Sequence, residues 1–417
     1  MARQVVIVGG GVIGLCTAWA LVKRGCEVTV LDAGAPGGGA SAGNAGWVVP
    51  SMSGPVPGPG VVATSLKWML HADSPLYIKP RPDPALARWL LAFWRRSNAR
   101  DYRAGLDATM ALNAPTMALF DELRADGVAF EMHAAGLLCP YLDERALAHD
   151  LRDIEPLASF GYPTPPLLAS DAIRELEPAL TDDVIGGFFL PQERHLRPDS
   201  LCAGLVDWLA AHGATIHANT PATGFERTGP RATAVVTPRG KIEAEAILLA
   251  TGAWLGRTAR LAGLKLPIQA GKGYHLDYAP PPRPIQRPLS LHEARVAVTP
   301  LDGFVRLAGT MEFSGLNRRI YPARIAAIAR AGRRYLRDWP TETTVAATWT
   351  GMRPMTPDGL PVIGLAPGFA NLALAGGHAM LGVTLAPATA EAVADLLTSG
   401  HPPDVLQPFS PLRWRRA

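Results

Sequence analysis

One stretch at the N-terminus leaves this chain little freedom. Arg3-Gln4-Val5-Val6-Ile7-Val8 reads as a buried strand, and Gly9-Gly10-Gly11-Val12-Ile13-Gly14 follows at once. Leu15 to Lys23 carries a helical pattern, and Glu27-Val28-Thr29-Val30-Leu31-Asp32 is a second apolar strand that ends in an acid. Strand, Gly-x-Gly-x-x-Gly, helix, strand and acid, in that order, make the βαβ unit that binds dinucleotides. Gly9 permits the tight turn, Gly11 lets backbone approach a pyrophosphate, and Gly14 lets helix pack on strand. The N–H groups of Val12 and Ile13 at the helix start attract phosphate. Asp32 can accept both hydroxyls of a ribose.

A chain of 417 residues is long enough for about two or three domains. Its four cysteines (Cys16, Cys26, Cys139, Cys202) are far apart and show no C-x-x-C spacing, so neither a disulfide framework nor a metal site is expected. A net charge of +4 suits an anionic ligand without demanding nucleic acid. No run of about 18 apolar residues is present. The chain opens directly into a strand, without a signal-like segment. A cytoplasmic location is therefore expected, with peripheral contact at the inner membrane as the alternative.

After Asp32 and Ala33 the sequence fills with small residues, and Ser41-Ala42-Gly43-Asn44-Ala45-Gly46 lets backbone lie against something large and flat. The Pro/Gly-rich stretch 51–60 excludes helix and interior strand. Helices are expected over 65–71 and 84–98. The second sets Trp89, Phe93 and Trp94 beside Arg88, Arg95 and Arg96, which reads as a core face with a solvated edge or as a membrane-surface segment. A single helix is expected over 106–127. Short strands and helices follow to 191, then a helix over 199–212 and a small antiparallel meander over 222–244. The buried strand 246–250 ends in Thr251-Gly252-Ala253-Trp254, on the rim that carries Gly9. Strands dominate 264–310. The arginine-rich helix 322–337 reads as a solvated face. The chain closes with a strand over 345–352, a turn over 353–359, and a second glycine-rich strand-to-helix turn, Gly376 to Thr384, whose helix dipole can face an electron-rich ring edge.

Four blocks make the chain resemble the FAD-dependent amino acid oxidoreductases of the D-amino acid oxidase superfamily, and most of all the bacterial D-amino acid dehydrogenases of the small-subunit type. They are Val6–Gly14 with Asp32, Ser41–Gly46 running into the Pro/Gly loop, Trp349-Thr-Gly-Met-Arg-Pro-Met-Thr-Pro-Asp-Gly-Leu-Pro-Val-Ile-Gly364, and Gly376-Gly-His-Ala-Met-Leu-Gly-Val-Thr384. Lys272-Gly273-Tyr274 is a lesser shared mark. The resemblance implies an α/β fold: a discontinuous Rossmann-like FAD-binding domain (1–80, 185–262, 345–417) and an α+β substrate domain (81–184, 263–344) on a mostly antiparallel sheet. It implies non-covalent FAD held by Gly9, Gly11, Val12, Ile13, Gly14, Asp32, Ala33, Ser41, Ala42, Asn44, Ala45, Gly46, Thr251, Gly252, Trp254, Gly351, Gly377, His378, Ala379, Met380, Gly382, Val383 and Thr384.

For substrate, the resemblance implies that Arg353 pairs with a carboxylate. A planar, permanently charged fork suits that partner. Tyr274 is expected to cap the carboxylate or cover the pocket, with Arg295, Met311 and Glu312 as further wall, and His378 as the polar group near the ring. The implied reaction moves hydride from Cα to the flavin; the imine then hydrolyses to a 2-oxo acid and ammonia. Electrons would pass to a quinone or another non-oxygen acceptor. The alternatives are an O2-using oxidase for glycine, sarcosine, proline or hydroxyproline, and a flavin-binding subunit without chemistry of its own.

Overall fold

A computed structural model describes residues 3–63, 65, 74–80, 82–340 and 345–414; the helix expected over 65–71 lies outside them except for residue 65. The glycine-rich start folds as its pattern dictates. Strand Gln4–Val8 leads into helix Val12–Lys23 and strand Glu27–Leu31. The first strand is buried on both faces, so it sits mid-sheet. A six-stranded sheet runs in the order Thr215–His217, Glu27–Leu31, Gln4–Val8, Ala246–Leu249, Leu372–Gly376, Val362–Leu365. Every pairing in it is parallel except the last. Parallel pairing puts the C-terminal ends of Gln4–Val8, Glu27–Leu31, Ala246–Leu249 and Leu372–Gly376 on one edge, where open α/β sheets bind ligands.

Helices Val12–Lys23, Pro198–Ala211 and Ala386–Ser399 pack on one face of this sheet, with Trp19, Leu205 and Val393 buried in a shared core. The meander Gly224–Thr228, Arg231–Thr237, Gly240–Glu243 covers the other face.

A nine-stranded sheet forms the second layer. Its order is Val345–Met355, Gln269–Tyr278, Phe304–Phe313, Val296–Leu301, Leu289–Leu291, Leu137–Tyr141, Gly186–Leu190, Leu168–Ala169, with Leu76–Ile78 added on Phe304–Phe313. Two of its pairings are parallel and the rest antiparallel. Helix Pro322–Tyr335 buries Ile328 and Tyr335 against Tyr274, Leu276 and Leu307.

Several expectations are corrected. The single helix over 106–127 is two, Ala99–Asn113 and Thr116–Ala125, broken where Pro115 removes a donor. The turn over 353–359 begins later, because strand Val345–Met355 pairs with Gln269–Tyr278 as far as Met355. Pro354 is tolerated there because this strand is the sheet's edge. Arg324, assigned to a solvated face, is buried and donates to Ser74 O at 2.5 Å. The strands Gly186–Leu190 and Val345–Met355 belong to the large sheet, whereas Leu112, Phe120 and Leu123 join the core of the six-stranded one.

Candidate active site

A cavity of about 610 Å³ opens along the C-terminal edge of the six-stranded sheet. Of the residues assigned to the cofactor from sequence, Gly9, Gly11, Val12, Ile13, Asp32, Ala33, Ser41, Asn44, Thr251, Gly252, Trp254, His378, Ala379, Gly382 and Val383 line it. At its floor the N–H groups of Gly11 and Ile13 have no acceptor among the described residues, while Gly9 N donates to Leu31 O and Val12 N to Ser41 Oγ. Unpaired amides at a helix start are an anion site. Gly14 packs so tightly on Gly9 O that a Cβ there would collide with it. Asp32 staples this turn: its Oδ2 accepts from Gly10 N and its Oδ1 from Gly34 N, both at 2.8 Å. Each oxygen keeps a lone pair for a hydroxyl. The residues present fit a dinucleotide.

Other expected contacts are supports rather than lining. Gly14 and Gly351 are packing points; the ring of Trp349 lies over Gly351 and over Gly43. Gly46 packs on Leu196 O and Gly377 on Thr356. Thr384 Oγ1 accepts from Val49 N and donates to Trp47 O. Ala42 and Ala45 offer their carbonyls to Arg306 and Thr299, and Met380 O accepts from Asn44 Nδ2 at 3.5 Å.

The cavity also takes in Thr220, Pro221, Ala222, Arg257, Thr258 and Arg318, which no local motif announces. Residues 220–222 follow the strand parallel to Glu27–Leu31, and Thr220 N donates to Asp32 O at 2.7 Å. A sheet-order argument could have found them.

The expected substrate residues separate into two sets, because side chains alternate across a strand. Arg353 is paired with Gly271 and lies over Gly273, where a Cβ would fall inside its guanidinium. Met311 Sδ is 4.0 Å from Arg353 Nη1. Arg353 donates to Thr310 O at 2.8 Å, and among the described residues no carboxylate pairs with it. Crowding by protein atoms lowers its pKa to about 10, so it stays a cation at neutral pH. Next along the strand, Pro354 lines the cavity, and its carbonyl accepts from Ala379 N at 3.0 Å.

Tyr274 and Glu312 point to the opposite face. There Tyr274 Oη donates to Glu312 Oε2 at 2.5 Å, and Lys272 Nζ lies 2.9 Å from Glu312 Oε1, with all three side chains buried. Capping a carboxylate held by Arg353 is closed to Tyr274 from that face. Arg295 sits at a turn with φ +53° in the field of Asp150, Tyr141 and Glu293, apart from Arg353. His378 is buried, bonds Thr389 Oγ1 through Nε2 at 3.1 Å, and is pushed down to about 3 by burial. It is a neutral wall of the cavity, with no proton to give at working pH.

A dinucleotide cavity at the sheet edge, beside a mostly antiparallel sheet whose Arg353 has no carboxylate partner among the described residues, is the arrangement of a nucleotide-dependent oxidoreductase of the flavoprotein kind. Comparison with known proteins makes this specific. Residues 4–396 match the family DAO, FAD dependent oxidoreductase, and the chain belongs to it. It is 34% identical over 407 residues to a D-amino acid dehydrogenase from Rhizorhabdus wittichii, covering 96% of this chain and 97% of that one. A D-amino acid dehydrogenase from Bradyrhizobium diazoefficiens is 33% identical over 417 residues, covering 96% of each. Among solved structures, glycine oxidase from Geobacillus kaustophilus superposes with a TM-score of 0.79 at 25% identity, over 99% of both chains. FAD is thus the dinucleotide for which the cavity is built.

Proposed function

We propose that the chain oxidises the Cα–N bond of D-amino acids and passes the electrons to a quinone or another non-oxygen acceptor. The observation that carries this reading is Arg353, a cation beside the cavity whose partners among the described residues are neutral, the Thr310 carbonyl and the Met311 sulfur. An unpaired charge in a crowded site is costly, and a substrate carboxylate supplies the missing partner in bidentate form. The D-amino acid dehydrogenases that the chain resembles support the substrate class and handedness.

Bound FAD supplies a two-electron acceptor at its ring. The protein's part is position. The amides of Gly11 and Ile13 would hold the pyrophosphate, and Asp32 a ribose. Arg353 would fix the carboxylate, and with it the position of Cα beside the cavity. Met311 gives the pocket an apolar wall, and the neutral His378 adds no charge near the reacting carbon. With a hydride passed from Cα to that acceptor and a proton lost from the amine nitrogen, the substrate becomes an imine, which water converts to the 2-oxo acid and ammonia.

Helix Pro84–Arg96 turns Arg88, Leu91, Trp94 and Arg95 outward, with Trp94 59% and Leu91 45% exposed. Its inner face, through Trp89, packs with Met311 and Met355 beside Arg353. We infer that this stripe touches an anionic membrane surface, where a quinone acceptor resides. No helix among the described residues is long and apolar enough to cross a membrane.

An anaerobic flavin-bleaching screen over D- and L-amino acids tests the main reading. D-amino acids are expected to bleach the flavin, and a quinone to restore its colour faster than O2 does. Fast peroxide formation would transfer the chain to the oxidases, and absence of bleaching by any amino acid would end the reading.

A further inference from the structure

Four successive carbonyls of the small-residue loop, from Ala42 to Ala45, are each held by a side chain of the nine-stranded sheet. His275 Nδ1 donates to Gly43 O at 3.0 Å, and Thr299 Oγ1 to Ala45 O at 2.8 Å. Arg306 Nη1 donates to both Ala42 O, at 3.1 Å, and Asn44 O, at 2.9 Å. The remainder of that guanidinium is held bidentately by Asp277, Nε to Oδ1 at 2.8 Å and Nη2 to Oδ2 at 3.0 Å. Arg306 is buried.

On their N–H side the same four peptides fall into two kinds. The peptide held by His275 carries the N–H of Asn44, which donates to Ser41 O. The peptide held by Thr299 carries the N–H of Gly46, which donates to Asn44 Oδ1 at 2.8 Å. Both clamps are neutral, since burial and the neighbouring Arg306 push His275 down to about 4. The two peptides held by Arg306 carry the N–H groups of Gly43 and Ala45. Neither has an acceptor among the described residues, although Gly43 is buried. The one charged clamp therefore sits on the two peptides whose donors are unused.

A buried backbone N–H without an acceptor is rare and costly, so such a donor points to a missing ligand atom. In a trans peptide the C=O and N–H point in opposite directions, and no cis bond occurs here. With Arg306 on the sheet side, the free donors lie on the side away from it. Ser41 and Asn44 of this loop line the cavity. A charge-assisted bond at the carbonyl polarises the peptide and strengthens its N–H as a donor.

We propose that Arg306 is a positioning residue for the flavin: through peptides 42–43 and 44–45 it sets and polarises two N–H donors, Gly43 and Ala45, toward an acceptor atom of the isoalloxazine ring, and so makes the bound flavin easier to reduce. The inference rests on FAD occupying the cavity, which a binding measurement tests separately.

The midpoint potential of the holoenzyme is the deciding readout, measured beside FAD affinity after stripping. Arg306→Gln with Asp277→Asn removes the charge as a neutral pair. The equilibrium constant for two-electron reduction should fall about tenfold, a potential lower by about 30 mV. Asp277→Asn alone leaves the guanidinium uncompensated and should raise the potential, while Arg306→Lys should lie between wild type and the double variant. Wild-type potentials throughout would overturn the proposal. So would shifts of one sign in Asp277→Asn and the double variant, which general loosening of the loop would give. If the double variant retains no FAD, the comparison of Asp277→Asn with Arg306→Lys decides by the same signs. A wild-type protein that binds no FAD would instead defeat the assignment of the cavity.

Discussion

An arginine on a strand edge ordinarily finds a carboxylate or open water, yet among the described residues Arg353 finds the carbonyl of Thr310 and the sulfur of Met311. Its place depends on Gly273 across the ladder, where a side chain would occupy the guanidinium's volume. Substitutions at two positions therefore probe one contact from both sides. Arg353→Ala should cost about 3 kcal/mol of substrate binding, as loss of one partner of a desolvated charge pair does. That is a rise in KM of roughly a hundredfold, with FAD retained. Arg353→Lys keeps the charge and loses the fork, so KM should fall between the two. Gly273→Ala should raise KM as well by displacing the guanidinium. Steady-state kinetics on the three variants, with flavin content checked by absorbance, measures this. An unchanged KM in Arg353→Ala would remove the residue from the substrate site. Tyr274→Phe is informative in the other direction: its hydroxyl belongs to Glu312, so its loss should lower thermal stability more than it changes KM.

At the scale of elements, what the sequence disclosed was what is local. The strand, glycine turn, helix and acid of residues 4–32 are contiguous, so their pattern alone placed the floor of the cavity. The loop 41–46 could be read from its small residues, but Arg306, His275 and Thr299, which hold it, lie more than 200 positions further along. Only the sheet's register brings them there. Alternation predicts that Gly273 and Tyr274 face apart, yet not which of them faces Arg353; Tyr274, expected to cap the carboxylate or cover the pocket, bonds Glu312 on the face opposite Arg353. The turn expected over 353–359 starts later because the strand runs through Pro354 to Met355, and an edge strand accepts proline. The helix Pro84–Arg96 was legible in its period, and the exposure of its outer stripe had to come from structure. That stripe, with Trp94 outermost, makes a prediction of its own. The protein should sediment with vesicles containing anionic lipid, less so at high salt, and Trp94→Ser should weaken that binding with activity toward a soluble dye acceptor retained. Equal partitioning of wild type and Trp94→Ser would exclude this helix from membrane contact.

For the whole molecule, the seams between layers carry buried imidazoles, and this sets how the fold responds to acid. Burial lowers His195, His275 and His292 to about 4 and His378 to about 3, helped by His133, Arg306 and Arg295 beside the first three. His275 bonds the loop at Gly43, His195 lies in the small sheet joining Trp47–Val48 to Met132–His133, and His378 walls the cavity. In the unfolded chain each takes a proton near pH 6.5. Between about 6.5 and 4 the unfolded state binds protons that the folded state refuses, so stability rises with pH across that window and is lost as pH falls through it. The loss is on the order of 1 kcal/mol or more per imidazole at pH 5. Glu193 works against this. Burial lifts it to about 7, so the folded state keeps a proton that the unfolded chain releases, and its contribution grows as pH drops below 7. Burial also raises Glu177 and Asp153, so three carboxyls oppose four imidazoles, and the imidazoles, brought down to about 4 or 3, prevail. Thermal unfolding with saturating FAD should give a Tm several degrees lower at pH 5 than at pH 7.5. Because three of the four imidazoles sit at the loop, the joining sheet and the cavity wall, flavin fluorescence should rise before far-UV ellipticity is lost. A Tm that holds or climbs on acidification, or flavin release that coincides with loss of helix signal, would show that the seams are not where acid acts.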